Sequence, residues 1–217
     1  STRLIGALIM VHGDDKGLRL PPKIAPTQVV IIPIAKNDSE LSDIIDYLKP
    51  TIEYLDSNNI RYLIDKREKV SPGFKFNEWE MKGVPIRIEI GPRDMQNNSL
   101  TYVRRDTLEK ETDEIIKVSN SIQELLNSIQ SNLFNQAKDF QKQNTFTANS
   151  YDEFKSLIEQ GAFIDCGWDG NPETENKIKQ DTNATIRCIH LKQNIKNLKC
   201  IYSNEPAKFH VIFAKAY

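Results

Sequence analysis

Apolar residues change their spacing several times along the chain, and each change marks an expected element. Residues 4–11, LIGALIMV, are a continuous apolar run. It suits either a buried strand or the start of a buried helix, which periodicity alone does not separate. A polar turn, HGDDKG, and a connector stiffened by Pro21, Pro22 and Pro26 follow. QVVIIPI at 28–34 places an unbroken apolar row between polar residues, the mark of a strand covered on both faces. Ile44, Ile45, Leu48, Ile52 and Leu55 then recur at helical spacing, with Asp38 or Ser39 as N-cap and Pro50 as a kink near Lys49. IRYLID at 60–65 reads as the next strand, so residues 28–65 form a βαβ unit with a right-handed crossover expected.

FKFNEWEMKG at 74–83 predicts a short helix ended by Gly83 and Pro85. VPIRIEIG at 84–91 alternates, with Ile86, Ile88 and Ile90 inward and Arg87 and Glu89 outward. LTYVRRD at 100–106 is a further strand, paired with the previous one through the polar turn QNNS. A long helix is expected from Asp113 to Asn144, with Ile115, Ile122, Leu125, Leu126, Ile129, Leu133 and Phe140 along one side. After NTFTANS a second set begins, with helices at 151–160 and 173–182 and strands at 162–166, 184–191 and 207–214. The fold class is therefore α/β. The expected organisation is a mixed-sheet domain at 28–118, a connecting helix at 119–144 and a smaller α/β domain at 145–217. Residues 1–27 read as the end of a further domain plus a linker.

Composition narrows the function. At 217 residues, 39% hydrophobic and 27% charged, the chain is an ordinary globular protein. A formal charge of −1 excludes a globally cationic nucleic-acid binder, so any polyanion must be held by a local patch. Cys166, Cys188 and Cys200 are too few and too odd for a disulfide framework and point to a reducing cytoplasm. No apolar run is long enough for a membrane span, and no export signal is visible. The start at Ser1, without Met, is expected to be an internal point of a longer chain.

The most informative stretch is SPGFKFNEWEMKGVPIRIEIGPRD. Lys75, Glu78 and Lys82 share a helix face at i, i+3 and i+7, whereas Phe76 and Trp79 lie toward another. Pro72-Gly73 leaves backbone N–H groups at the helix start free to meet an anion. Two Lys around one Glu can contact base edges, since Lys donates to guanine O6 and N7 and Glu accepts from amino groups. The same residues also read as a solvated face with i, i+4 charge pairs. Phe76 and Trp79 read as core.

STRLIGALIMVHGDDKGLRLPPKIAPTQVVIIPI, SPGFKFNEWEMKGVPIRIEIGPRD and the terminal VIFAKAY together closely resemble the C-terminal half of the prolyl-tRNA synthetase family, in its eukaryote- and archaea-like branch, which some bacteria carry. The resemblance implies that residues 1–27 hold motif 3 of a class II catalytic domain, with motifs 1 and 2 upstream. Arg3 would be the catalytic ligand of the ATP phosphates, Thr2 would add a hydroxyl and Gly6 would leave room for the purine. His12, Asp14 and Asp15 read as loop-fixing residues outside the chemistry.

Residues 28–118 resemble an anticodon-binding domain, which in this family reads the guanines at the second and third anticodon positions. Arg67, Lys75, Glu78 and Lys82 are the expected base readers, with Arg93 and Arg105 as backbone contacts at best. The C-terminal domain resembles one that binds zinc through two Cys pairs, but the pattern is broken. Thr174 and Ser203 stand where two thiols are expected, so only Cys166 and Cys200 remain and no metal is expected. Cys188 reads as a small packed residue, and His190 and His210 as ordinary strand residues. The terminal Tyr217 either points back toward the catalytic domain or simply ends a strand.

The implied whole protein is an ATP- and Mg-dependent ligase, a cytoplasmic homodimer that joins proline to tRNA-Pro, of which this chain alone is inactive. The alternatives are a stand-alone, non-catalytic tRNA- or RNA-binding module and a purely structural oligomerisation module.

Overall fold

Residues 2–215 are described by the structure, a computed structural model, and they fall into two units, Ser1–Ala137 and Lys138–Tyr217. The expected role of Tyr217 lies outside the described residues. In the first unit the apolar run at 4–11 forms a helix, α1 (Arg3–His12), in which no residue is buried. Leu4, Ile5 and Met10 are 71%, 59% and 63% exposed, so the buried setting expected for this run is not met. A small hairpin, β1 (Gly13–Asp14) and β2 (Gly17–Leu18), follows.

The row at 28–34 becomes β3 (Val29–Pro33), whose residues are all buried. The helical pattern after it divides into α2 (Asp38–Tyr47) and α3 (Lys49–Ser57), and the break at Leu48 sits where Pro50 removes a backbone donor. Asn37, one residue before the expected cap, accepts from the Glu40 N–H and starts α2. Then come β4 (Tyr62–Ile64), α4 (Pro72–Met81), β5 (Ile86–Ile90), α5 (Pro92–Gln96), β6 (Ser99–Arg104), β7 (Lys110–Glu114) and α6 (Ile115–Gln143). The sheet order is β4-β3-β5-β6-β7, with β3 parallel to both neighbours and β6 antiparallel to β5 and β7.

Both faces of this sheet are covered. Val29 and Ile31 join Ile44, Leu55, Ile122 and Leu126 on the side of α2, α3 and α6, whereas Val30 and Ile32 meet Val84, Phe76 and Trp79 on the α4 side. Each such side chain contributes about 1.5–3 kcal/mol by leaving water. The expected connecting helix is thus a core element over most of its length, since Ile115 to Leu133 supply buried positions, although Phe140 is 65% exposed. Arg87 and Glu89 do not face solvent as the alternation predicts. α4 covers Arg87, whose guanidinium lies 4.9 Å from the Phe76 ring centroid, and Glu89 accepts from Arg87 at 3.0 Å and from Lys110 at 2.6 Å.

The second unit contains β8 (Thr145–Thr147), α7 (Tyr151–Glu159), β9 (Phe163–Trp168), α8 (Pro172–Thr182), β10 (Ala184–Ile189) and β11 (Phe209–Lys215) in a sheet ordered β10-β11-β9-β8. Phe154, Ile158, Ile164, Ile178, Val211 and Phe213 form its core. Cys188 is exposed rather than packed.

The hairpin β1–β2 is anchored to the first unit. Asp14 closes its own turn by accepting from Lys16 N and takes both Nη atoms of buried Arg105 at 2.8 and 2.6 Å. Arg105 also donates to the Glu80 carbonyl, so its guanidinium is buried and committed inside the protein, unlike the outward setting that a backbone contact implies. Gly83 (φ +76°) accepts from Leu20 N–H, and a Cβ there would lie 2.5 Å from the Leu18 carbonyl oxygen. Gly83→Ala is expected to destabilise the first unit by about 1–3 kcal/mol, read by urea unfolding through Trp79 fluorescence in a Trp168→Phe background. The Arg105 hydrogen bonds hold the Asp14 carboxyl down at about 2. That folded value lies below the unfolded one of about 4, so the contribution of this contact is complete above about pH 4 and is lost as the pH falls through about 2, as an NMR titration of Asp14 will report.

Candidate nucleic-acid interface

A groove of about 440 Å³ opens at the C-terminal ends of β3 and β4. Its walls are the 33–41 segment, which leads into α2, and the 65–72 loop, which leads into α4. This is where a parallel sheet whose connections depart to opposite sides leaves a crevice. The N-termini of α2 and α4 both border it. Asn37 and Ser71 cap these helices through the N–H groups of Glu40 and Phe74, and the remaining first-turn donors give each end a partial positive charge. Lys36, Lys66, Arg67, Lys69 and Lys75 line the groove against Asp38, Asp65 and Glu68. A chain with a formal charge of −1 thus gathers a local cationic surface at one place.

The centre of the arrangement is Asp65, 3% exposed at the end of β4. Its Oδ1 accepts from the backbone and Nε of Arg67, and its Oδ2 from Arg67 Nη2 at 2.7 Å and Trp79 Nε1 at 2.8 Å. The Arg67 bonds are the main reason its carboxyl is held well below the usual range, with Trp79 and Lys75 adding to them. Arg67 continues outward to Glu78 Oε2 at 2.6 Å, and Glu78 Oε1 takes Lys82 Nζ at 2.7 Å. Lys82 in turn lies 4.4 Å from the Trp79 ring centroid. Its hydrogen bond, then that of Arg67, lowers the Glu78 carboxyl.

All four residues expected to read bases therefore belong to one network, but not on one open face. Arg67 and Lys82 have side chains 43% and 48% exposed. Lys75 is 5% exposed, because its ammonium donates to the Asp65 carbonyl at 3.0 Å and forms the groove floor. The Glu78–Lys82 pair is the i, i+4 charge pair of the plainer reading. Sequence reasoning missed Asp65, whose only signal was a carboxylate directly ending an apolar strand. It also missed Phe74, 59% exposed in the first turn of α4. Phe76 and Trp79 pack against the β3 core as expected.

Of the residues expected around ATP, Arg3 opens α1 with Thr2 as N-cap, and Gly6 has open space where a Cβ would stand. In the second unit, Thr174 Oγ1 and Ser203 Oγ both donate to Asp169 Oδ2, at 2.9 and 2.7 Å. Cys166 and Cys200 are buried, and burial first, then the neighbouring Cys200 and Asp165, pushes the Cys166 thiol up to about 12.

Asp65→Asn is expected to cost the first unit about 1.5–3 kcal/mol, the range for hydrogen bonds to a charged group. Glu78→Gln, on the exposed limb of the network, is expected to leave stability nearly unchanged. Urea unfolding of the two variants side by side checks this.

Residues 28–130 match the anticodon binding domain family, and residues 151–217 match the family described as prolyl-tRNA synthetase, C-terminal. The proline–tRNA ligase of Porphyromonas gingivalis is 46% identical over 217 residues, which is 100% of this chain and 44% of that protein. Those of Phocaeicola vulgatus and Amoebophilus asiaticus are 45% and 48% identical, again over 100% of this chain and 44% of each relative. These relatives are bacterial, and the chain spans less than half the length of each. With an anticodon binding domain, a matching C-terminal domain and similarity along its whole length, the chain belongs to the prolyl-tRNA synthetase family as its C-terminal part.

Proposed function

We propose that this chain is the tRNA-reading part of a proline–tRNA ligase and that the β3–β4 groove receives the anticodon loop of tRNA-Pro. The observation that carries this reading is the convergence of two helix N-termini and a cationic loop on one groove within the matched anticodon binding domain. Helix N-termini and exposed Lys66 and Lys69 suit phosphates. Arg67 and Lys82 are the outward donors for guanine O6 and N7, Glu78 is the acceptor for guanine amino and imino hydrogens, and Lys75 acts from the floor. The Asp65 bonds hold Arg67 in place beforehand, so less side-chain freedom is lost on binding. Phe74 offers a face on which an unstacked base can lie.

The whole enzyme in this reading activates proline with ATP and Mg and transfers it to tRNA-Pro, with Thr2, Arg3 and Gly6 belonging to the nucleotide site. An Arg fork at a helix start suits phosphate oxygens. The uncovered apolar side of α1, with Leu4, Leu8, Val11 and Ile24 around a groove, suits packing against the remainder of that enzyme. A cytoplasmic class II homodimer and the eukaryote- and archaea-like branch rest on the resemblance alone. Whole-length likeness to proteins named proline–tRNA ligase favours this reading over a stand-alone RNA-binding module.

The zinc implied for the C-terminal domain does not fit the residues at Cys166 and Cys200. Two hydroxyls stand in place of thiolates, and both already donate to Asp169. Structural zinc takes four ligands, so in this reading the Asp169 node holds these segments together instead of a metal.

The test is binding of a tRNA-Pro anticodon stem-loop, followed by fluorescence anisotropy. Arg67→Ala and Lys82→Ala are each expected to weaken it by about 5- to 150-fold, corresponding to about 1–3 kcal/mol per base contact. In the full-length enzyme the same variants are expected to leave proline-dependent ATP–pyrophosphate exchange unchanged. Equal binding of a stem-loop with both guanines replaced, or equal loss of both activities, would contradict the assignment.

A further inference from the structure

On the opposite face of β9 from Cys166, three potential metal ligands converge. His190 Nε2 and His210 Nε2 lie 3.0 and 2.5 Å from the same oxygen, Asp165 Oδ1, and the three ligand atoms all lie within 4.8 Å of one another. The sequence places these residues far apart, and the register brings them together. His190 N–H donates to the His210 carbonyl, so the two histidines face each other across β10 and β11, with ring centroids 4.3 Å apart. Asp165 opposes Ile212 on the other side of β11, one same-face step from His210.

A bulge makes this possible. Ile186 pairs with Phe213 but Cys188 pairs with Ile212, so β10 spends two residues against one of β11. Beyond Arg187 the alternation of β10 is inverted, which turns His190 onto the face of His210 and Asp165. The Gln193 side chain donates to the His190 carbonyl and accepts from His210 N–H, holding both backbones.

We infer that Asp165, His190 and His210 form a binding site for one divalent first-row transition metal ion, with zinc as its natural probe. Two imidazoles and a carboxylate are the donor set such ions prefer. Tetrahedral bonds of about 2.0 Å need ligand atoms about 3.3 Å apart, so each nitrogen has to move only a little from the Asp165 oxygen, and the two nitrogens already lie within 4.8 Å of each other. The side chains are 31%, 22% and 28% exposed for His190, His210 and Asp165, which leaves a solvent path and an open fourth position. One ion would tie together β9, β11 and the end of β10. The site is independent of the groove in the first unit and of the Cys166–Cys200 region, because Cys166 pairs with Val211 on the core face.

The test is titration of the metal-free 217-residue chain with Zn²⁺ and Co²⁺. One ion per chain is expected, with a cobalt spectrum that lacks thiolate charge-transfer bands. His190→Gln and His210→Gln are each expected to weaken binding by at least about 100-fold, whereas a Cys166→Ser/Cys200→Ser chain binds as the parent does. Failure to bind at millimolar zinc, thiolate bands in the parent, or histidine variants that bind unchanged would overturn the site. Should the glutamine variants fold poorly, the cobalt spectrum of the parent chain still decides between imidazole and thiolate ligation.

Discussion

A carboxylate withdrawn from water has to be given donors, and at the end of β4 this requirement shapes the surface around it. Asp65 draws its hydrogen bonds from the following loop and from α4, through the Arg67 backbone and guanidinium and the Trp79 indole. Leaving such a group unpaired costs several kcal/mol. The loop after β4 is therefore bound to fold back over its own strand, and α4 is bound to present its indole there. Arg67 emerges from this geometry with its outward side already directed at Glu78. The surface proposed to meet the anticodon is thus positioned by a residue that has no need to touch a base.

The same solution is used again in the second unit. Asp169 gathers the Thr174 and Ser203 hydroxyls, and Asp165 gathers two imidazoles. These acids lie four residues apart, one within β9 and the other just after it. One ties α8 to the 200–204 turn through neutral donors. The other meets two titratable nitrogens and keeps partial access to solvent, and that difference in donor chemistry separates a fastening from a ligand set.

Legibility in the sequence followed the strength of the local pattern. The unbroken row of β3, the Pro50 break and the paired strands β5 and β6 were all readable because hydrophobic spacing dominates there. β7, written KETDE, was not, since it is an exposed edge strand with no apolar face to announce it. The helical α1 went undecided because a fully apolar run has no periodicity to read. Arg87 and Glu89 misled for a different reason: alternation reports what one face of a sheet does, and α4 covers the other. At the groove, the basic residues of 66–82 were visible as types and spacings. Their coupling through Asp65, and the burial of Lys75 beneath them, depends on a tertiary contact between loop and helix that spacing does not encode. His190 and His210 looked like plain strand positions for the same reason, since a register is a property of two strands.

The bulge beside Arg187 makes this corner of the sheet sensitive to chain length more than to residue identity. Removing a single codon there would rotate every later position of β10 by half a pleat, sending His190 beneath the sheet while both histidines stay in the sequence. A lineage can therefore acquire or discard the imidazole pair through one in-frame insertion or deletion. In comparing relatives, the spacing between Ile186 and His190 is the more telling character.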